Sequence, residues 1–354
     1  MKGFRPNLRV SDSLRYGAAL FALALTMAEG AVLFPAAQAN GGLRVLKTIH
    51  VAGDGSWDYL AVDSAARRLY VSHGTEVDVL NANTGQVIGR IPDTPGVHGI
   101  ALVPTMHRAF ISQGLSGHVA IVDTETLETL RQVPAGKNPD AIIYDPATRR
   151  IFANNGGSES TTAIDAATGD VVGTLDLGGS PEYAAADGAG HIYINLEEQN
   201  ETIAVDSQNL RVDQRWPLSP CKAPTSMAID RRSRRLFIGC RNHFMAVLNI
   251  DTGRVVTALP IGEHVDATVF DPERHLIFCS NADGTLNVFR QLSADEYRSV
   301  QTLKTALGAR TMALDASTHR IFLPTADLDT SAPLKPGQKA TVKPRTFRLI
   351  VVGD

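Results

Sequence analysis

The sequence has few of the features that mark the more specialised classes of protein. Its 354 residues contain three cysteines, too few for a disulfide scaffold or for a cysteine-rich zinc or iron–sulfur site. Lys and Arg number 34 and Asp and Glu number 37. The chain therefore has no global basic excess to neutralise phosphates, which argues against a nucleic-acid partner. A hydrophobic content of 44% and a charged content of 20% exclude a disordered chain and a multi-spanning membrane protein.

The N-terminal segment has the pattern of a secretory signal. Basic residues at positions 2, 5, 9 and 15 precede an apolar run from Gly17 to Met27, and the small-residue triplet Ala37-Gln38-Ala39 follows. We interpret residues 1–39 as a cleaved signal peptide and residues 40–354 as an exported domain, located in the periplasm or secreted. An uncleaved membrane anchor is the alternative, although the run is shorter than the ~20 residues of a span. After cleavage, no later segment is apolar enough to cross a membrane.

One phrase recurs along the rest of the chain: an aspartate, a short turn, and an aliphatic-aromatic-aliphatic strand. Its aromatic residues lie 40, 42, 41, 44, 41 and 44 residues apart. They are Tyr70, Phe110, Phe152, Tyr193, Phe237, Phe278 and Phe322. Each unit has four strand signals, with Asp/Asn-Thr-Gly turns between the outer two in several copies. Four strands in 40–45 residues form a propeller blade, so the sequence predicts a single all-β, seven-bladed β-propeller.

The two ends of the chain predict how the ring closes. After Phe322 the chain supplies one more strand, residues 347–352, so the last blade lacks a strand. Residues 44–49 form an unassigned strand at the other end of the chain. We expect the N- and C-terminal strands to pair in blade 7, which removes a free sheet edge.

The repeat phrases resemble the YVTN-type repeats of the exported bacterial YncE-like seven-bladed propellers. The resemblance covers residues 43–354 and rests on such phrases as Tyr70-Val71-Ser72, Phe152-Ala153-Asn154-Asn155 and Asp165-Ala166-Ala167-Thr168-Gly169. Blade 6 departs from it, with Phe289-Arg290-Gln291-Leu292 in place of the Asp-x-x-Thr-Gly turn. The resemblance implies the fold and an exported protein but no single activity, because related propellers include lactonases and quinoprotein subunits.

Counting back five residues from each repeat aspartate position gives the start of the innermost strand, at the mouth of the central channel. These positions hold Asp58, His98, Asp140, Glu182, Thr225, Asp266 and Arg310. Converging polar residues in a concavity are the default site hypothesis. We therefore predict ligand binding at the mouth, with Trp57 stacking on the ligand and with His264 and Asn138 supplying a nitrogen and an amide. The alternatives are a solvated, water-filled mouth and a bound divalent metal.

Two further features give structural predictions. Cys221 and Cys240 fall on the same face of blade 5, where a disulfide is geometrically possible, whereas Cys279 is expected to be a small core residue. Blade 7 carries an insertion, residues 326–346, that is locally basic and contains three prolines. It is expected to be either a surface loop or a flap over the mouth.

The sequence contains no zinc-protease, nucleophile-elbow, phosphate-loop or haem-attachment motif. We therefore expect a non-enzymatic binding or scaffold protein that holds a small molecule, a metal or a periplasmic protein partner at the mouth. The alternative is a lactonase-like or metal-dependent hydrolase that uses the mouth carboxylates as metal ligands or general bases.

Overall fold

The computed structural model describes residues 42–329 and 341–354. The predicted signal peptide and the centre of the blade 7 insertion lie outside these residues. Within them, regular structure is almost entirely β-strand, and the helical segments are two short 3₁₀ turns, Pro104–Met106 and Gly156–Ser158. None of the described helices has the length and apolar character needed to cross a bilayer.

The first six blades are antiparallel sheets of four consecutive strands, ordered from the channel outwards. Blade 1 consists of β2 (Trp57–Asp63), β3 (Arg68–His73), β4 (Glu76–Asn81) and β5 (Val87–Ile91). Blade 2 consists of β6 (Val97–Val103), β7 (Arg108–Gln113), β8 (His118–Asp123) and β9 (Thr129–Pro134). Blade 3 consists of β10 (Pro139–Asp145), β11 (Arg150–Asn155), β12 (Ser160–Asp165) and β13 (Val171–Asp176).

Blades 4 to 6 repeat this order. Blade 4 consists of β14 (Pro181–Ala186), β15 (His191–Leu196), β16 (Glu201–Asp206) and β17 (Arg211–Pro217). Blade 5 consists of β18 (Pro224–Asp230), β19 (Arg235–Cys240), β20 (Phe244–Asn249) and β21 (Arg254–Pro260). Blade 6 consists of β22 (Val265–Asp271), β23 (Leu276–Asn281), β24 (Thr285–Gln291) and β25 (Tyr297–Lys304).

Blade 7 closes the ring with strands from both ends of the chain, as the sequence predicts. Its order is β26 (Ala313–Asp315), β27 (Arg320–Thr325), β30 (Arg348–Gly353) and β1 (Arg44–His50). β1 runs antiparallel to β30 from the pair Arg44–Gly353 to the pair His50–Arg348. A small hairpin of β28 (Leu328–Asp329) and β29 (Thr341–Val342) forms the base of the insertion.

The aromatic residue of each repeat is the third residue of its blade's second strand, and all seven are buried, with exposures of 3% or less. These rings pack between blades. Tyr70 of blade 1 belongs to an apolar cluster that contains Ile100 and Ile111 of blade 2, and Phe152 of blade 3 lies with Ile194 of blade 4. The repeat therefore provides both the sheet and its contact with the next sheet, which is why a blade is stable only in the ring.

The repeat aspartates join the blades on the face opposite the channel mouth. Ser207 of blade 4 donates to Asp145 of blade 3 at 2.7 Å. Ser64 of blade 1 donates to Asp315 of blade 7 at 2.6 Å, and His319 lies 2.6 Å from Asp271. We call this side the turn face, and the side that carries the channel mouth the mouth face. His107, His275 and His319 lie in turns of the turn face with a positive φ, and His191 is the first residue of β15 at the same face.

Candidate functional site

Six of the seven predicted mouth residues occupy the same place, the second residue of a blade's first strand, and Arg310 precedes β26 in blade 7. In all six strands the regular pairing with the second strand is interrupted at this residue. In blade 1, for example, the register shifts between Trp57 and Leu60, and in blade 6 between Val265 and Ala267. Such irregularities bend a strand and change the direction of a side chain, so the same local feature recurs at each mouth position.

Small polar residues two positions after the aromatic anchors hold the backbone of the mouth residues. Within blade 1, the Ser72 hydroxyl accepts a hydrogen bond from the Asp58 amide at 2.7 Å. Between blades, Asn154 donates to the Glu182 carbonyl at 2.7 Å, and Ser112 donates to the Asp140 carbonyl. The residue two positions after the anchor, such as Ser72 in Tyr70-Val71-Ser72, therefore holds the backbone of a mouth residue in place. The sequence analysis did not assign this role to it.

Blades 1 to 3 bring together an imidazole and two carboxylates. His98 Nδ1 lies 2.6 Å from Asp58 Oδ2 and 3.8 Å from Asp140 Oδ1. One ligand atom from each of the three residues lies within 4.8 Å of the others, a spacing at which they could hold one metal ion. Gly114 makes room for this cluster, because a Cβ there would lie 2.7 Å from His98 Nε2 and 2.6 Å from Asn138 Oδ1. Asn138 therefore lies beside His98.

The other half of the mouth is a set of paired charges. Arg310 Nε binds Asp266 Oδ2 at 2.6 Å. Glu182 lies near Glu197, whose carboxyl group raises the pKa of Glu182, and Glu197 is bound by Arg241 at 2.5 Å. Glu197 and Arg241 were not predicted, although a signal was present. Both lie four residues after the aromatic anchor, a position that holds Gly or Ala in the other five blades: Gly74, Gly114, Gly156, Ala282 and Ala326.

Burial and mutual repulsion raise the pKa of three of these carboxyl groups. Desolvation, followed by the charge of Asp58, raises the pKa of Asp140 to about 7, and His98 opposes the shift. Desolvation and the neighbouring Asp140 and Glu197 raise the pKa of Glu182 to about 10. Burial also raises the pKa of Asp266, against the effect of Arg310. The mouth therefore contains more acidic groups than its own cations neutralise.

Two tyrosines meet across the channel directly beneath the mouth. Tyr59 follows Asp58 in blade 1, Tyr183 follows Glu182 in blade 4, and their ring centroids lie 5.0 Å apart. The Tyr59 hydroxyl also donates to the Asp266 carbonyl of blade 6 at 2.8 Å. The corresponding residues of the other blades are small: Gly99, Ala141, Ser226, Ala267 and Thr311. We call the mouth and the tyrosine pair beneath it a cup with a tyrosine floor.

Trp57 and His264 do not join the cluster of mouth carboxyl groups within the described residues. Trp57 is buried, with 6% exposure, and packs against Phe347 at a centroid distance of 6.0 Å, so its ring belongs to the core between blades 1 and 7. Trp57 lies before the irregularity in β2, where it still pairs regularly with His73, and its ring fills the interface between blades 1 and 7 instead of the mouth. His264 is exposed in the loop entering blade 6, with a positive φ of 56°. No hydrogen bond or ion pair links its imidazole to the mouth within the described part of the chain.

The cysteines lie as predicted. Cys221 and Cys240 form a disulfide with a Cα–Cα distance of 5.8 Å, which joins the loop entering blade 5 to the end of β19. Cys279 is a free, buried thiol whose pKa is raised by desolvation to about 12, so it remains a protonated core residue.

The strand order and the closure by β1 define the protein as a seven-bladed β-propeller. Its sequence matches no protein-family model and no curated protein. Solved structures share the fold. A structure of hydrazine synthase from Kuenenia stuttgartiensis aligns with a TM-score of 0.68 at 13% identity, over 77% of this chain and 94% of that one. The structure of U3-55K gives a TM-score of 0.72 at 10% identity, over 87% of this chain and 98% of that one.

A structure of the WD40 repeats of RRP9 gives a TM-score of 0.72 at 9% identity, over 88% of this chain and 97% of that one. At these identities the likeness concerns the fold alone. A propeller commonly serves as a binding scaffold, but one fold carries many unrelated functions, so function has to be argued from the site.

Proposed function

We propose that the protein is an exported binding protein of the YVTN-repeat type whose channel mouth binds a cationic ligand. One observation carries this: the carboxyl groups of Asp58, Asp140, Glu182, Glu197 and Asp266 converge with His98 above the tyrosine pair, and they outnumber the two arginines of the mouth, Arg241 and Arg310. A cation that enters the cup relieves the repulsion that raises the pKa of Asp140 and Glu182.

The cation belongs to one of three classes that the same donors recognise. A divalent metal ion suits the oxygen atoms of Asp58 and Asp140 together with a nitrogen of His98. A small molecule bearing an amine, or a lysine side chain of a periplasmic protein partner, would pair with the same carboxylates as a point charge.

The test is a ligand titration of chelator-treated protein, in which binding is measured by the change in melting temperature and by isothermal calorimetry. The probes are Ca²⁺, Mn²⁺, Zn²⁺ and the diamine putrescine. A ligand that binds only the folded state raises the melting temperature in proportion to the logarithm of its concentration. We expect at least one probe to do so in the parent protein and to lose its effect in Asp140→Asn.

Glu125→Gln is the matched control, because it also converts a carboxylate beside a histidine to an amide. Glu125 lies on the turn face, 3.3 Å from His107, and is exposed. A response that both variants lose equally, or no response to any of the four probes, would contradict a cation site at the mouth.

The proposed location is supported by the Cys221–Cys240 disulfide, since such bonds persist mainly in oxidising compartments. Expression of the full chain in a Gram-negative host should give a periplasmic protein whose N-terminal residue is Asn40. Recovery of the unprocessed chain in the membrane fraction would instead support the anchor.

A second candidate function is hydrolysis, and the Asp58–His98 pair favours it. A carboxylate bound to Nδ1 orients an imidazole so that it can act as a general base towards water. The assay is turnover of lactones and phosphate esters with added divalent metals. Loss of turnover in Asp58→Asn at an unchanged melting temperature would establish an enzyme, and no turnover in the parent protein would leave the binding function.

A further inference from the structure

The two most exposed large hydrophobic side chains of the described residues lie on the mouth face. Leu115 is 80% exposed in the β7–β8 turn, and Leu307 is 61% exposed in the loop entering blade 7. The next in order of exposure is Leu130, with 53%, on the outer strand β9. Single exposed hydrophobic residues are normal on a protein surface, so these two need an explanation only if their positions are unusual.

Comparison of the blades shows that both positions are unusual. Leu115 lies five residues after its anchor, where the other blades have polar residues or glycine: Thr75, Gly157, Glu198, Asn242, Asp283 and Asp327. Leu307 lies three residues before its mouth position, where the other blades have glycine, proline or charged residues: Gly55, Pro95, Lys137, Gly179, Lys222 and Glu263. A large apolar side chain therefore occurs once at each of these two repeat positions, on the same face of the ring.

Hydrogen bonds hold the backbone of both leucines in place. The Leu115 amide donates to the Pro95 carbonyl at 3.3 Å, and its side chain lies on Gly96, where a Cβ would come within 2.6 Å of Leu115 Cγ. The Leu307 carbonyl accepts from the Thr325 hydroxyl at 2.7 Å. A side chain on a fixed backbone loses less conformational freedom when a partner covers it, so both leucines are suited to an interface.

Carboxyl groups lie close to both leucines. The turn that carries Leu115 lines a groove of about 520 Å³ between blades 1 and 2, together with Asp93. Leu307 lies against the β23–β24 turn, which contains Asp283. Across the described loops of the mouth face, carboxyl groups outnumber lysines and arginines. A partner that covers the leucines therefore meets a negatively charged surface.

The combination of charge and apolar surface selects one kind of partner. A metal ion or a small amine in the cup would leave both leucines in water, and anionic lipids would be repelled by the carboxyl groups. A protein that presents a basic residue beside apolar residues complements both features. We propose that such a protein docks on the mouth face, with a lysine or arginine side chain in the cup and apolar side chains on Leu115 and Leu307. The inference rests on the proposed cation site and names its ligand.

The experiment selects random dodecapeptides displayed on phage against the full mature chain. The most enriched peptide is synthesised, and its affinity is measured by fluorescence anisotropy. We expect it to contain lysine or arginine near leucine, isoleucine or phenylalanine. Leu115→Ser and Leu307→Ser should each weaken its affinity about tenfold, because each removes apolar contact area. Leu130→Ser is the matched control, since Leu130 is also an exposed leucine of blade 2 but lies on an outer strand. It should leave the affinity unchanged.

The variants separate this inference from the proposed cation site. Asp140→Asn should weaken both the peptide and the small cations, whereas Leu115→Ser should weaken the peptide alone. No enriched peptide, or a peptide that binds the parent protein and both leucine variants equally, would overturn the docking surface and leave the cation site standing. A peptide that binds Asp140→Asn as tightly as the parent protein, with no response to the small cations, would overturn both.

Two other occupants of the leucines are tested with the same variants. Sedimentation of the protein with vesicles of phosphatidylethanolamine and phosphatidylglycerol that Leu115→Ser abolishes would show a membrane contact. A dimer in light scattering that Leu115→Ser dissociates would show that a second copy of the chain covers the leucines. Either result would overturn docking of a different protein. All the leucine variants should fold, because substitutions at exposed positions usually change stability by less than ~0.5 kcal/mol.

Discussion

Single residues of the turn face link the stability of the ring to pH. Asp315 is buried, which by itself raises its pKa, but hydrogen bonds from Ser64, Thr318 and Arg67 lower it well below the usual value. Because the pKa is lower in the folded chain, the stabilisation is complete above the unfolded value of ~3.9 and is lost as the pH falls through the folded value.

Asp315→Asn should therefore lower the free energy of unfolding by about 2 kcal/mol at pH 7, since hydrogen bonds to a charged group are lost. The difference from the parent protein should narrow as the pH falls below ~4. Urea denaturation at a series of pH values measures this, with the exposed Glu125→Gln as control. A difference that stays constant down to low pH would contradict the link.

The aromatic anchors should contribute through packing alone. Phe152 is fully buried between blades 3 and 4, so Phe152→Ala should cost ~3–5 kcal/mol. Val171→Ala, on the exposed outer strand of the same blade, should change stability by less than ~0.5 kcal/mol. Equal effects of the two changes in urea denaturation would mean that the blade interface is not where the anchors act.

At the scale of strands, closure of the ring depends on β1. Its six pairs with β30 cover a sheet edge that would otherwise be free to bind another chain. A chain that starts at Val51 should melt at a lower temperature than one that starts at Gly42, and it should self-associate. Calorimetry and light scattering measure both effects. A monomeric chain with an unchanged melting temperature would show that blade 7 is stable with three strands.

The strands and the mouth positions could be predicted because the repeat fixes them locally. A residue five before the repeat aspartate position, such as Asp140, has the same place in blades 1 to 6, whatever the rest of the chain does. The contact between Tyr59 and Tyr183 could not be predicted in this way, because it joins blades three apart across the channel. The burial of Trp57 could not be predicted in this way either, because its ring packs against Phe347, which lies near the other end of the chain.

At the scale of the whole molecule, the tyrosine pair connects opposite sides of the ring. Tyr59→Ala and Tyr183→Ala should each destabilise the protein, and the double variant should lose less than the sum, because both changes remove the same contact. The coupling expected for an aromatic pair is ~0.5–1.5 kcal/mol in urea denaturation. Tyr59→Ala and Phe152→Ala should be additive, and coupling of equal size in that pair would contradict a specific contact.

The tyrosine floor affects how a ligand can reach and leave the mouth. Because Tyr59 and Tyr183 meet on the channel side of opposite blades, they narrow the channel beneath the mouth, and we expect a ligand to enter and leave by the mouth face. A protein partner bound over the mouth would then control ligand exchange, because it would either slow the release of a bound ligand or block its entry. Ligand binding, ligand release and protein docking would therefore compete for the mouth face. The turn face would stay free for a permanent attachment.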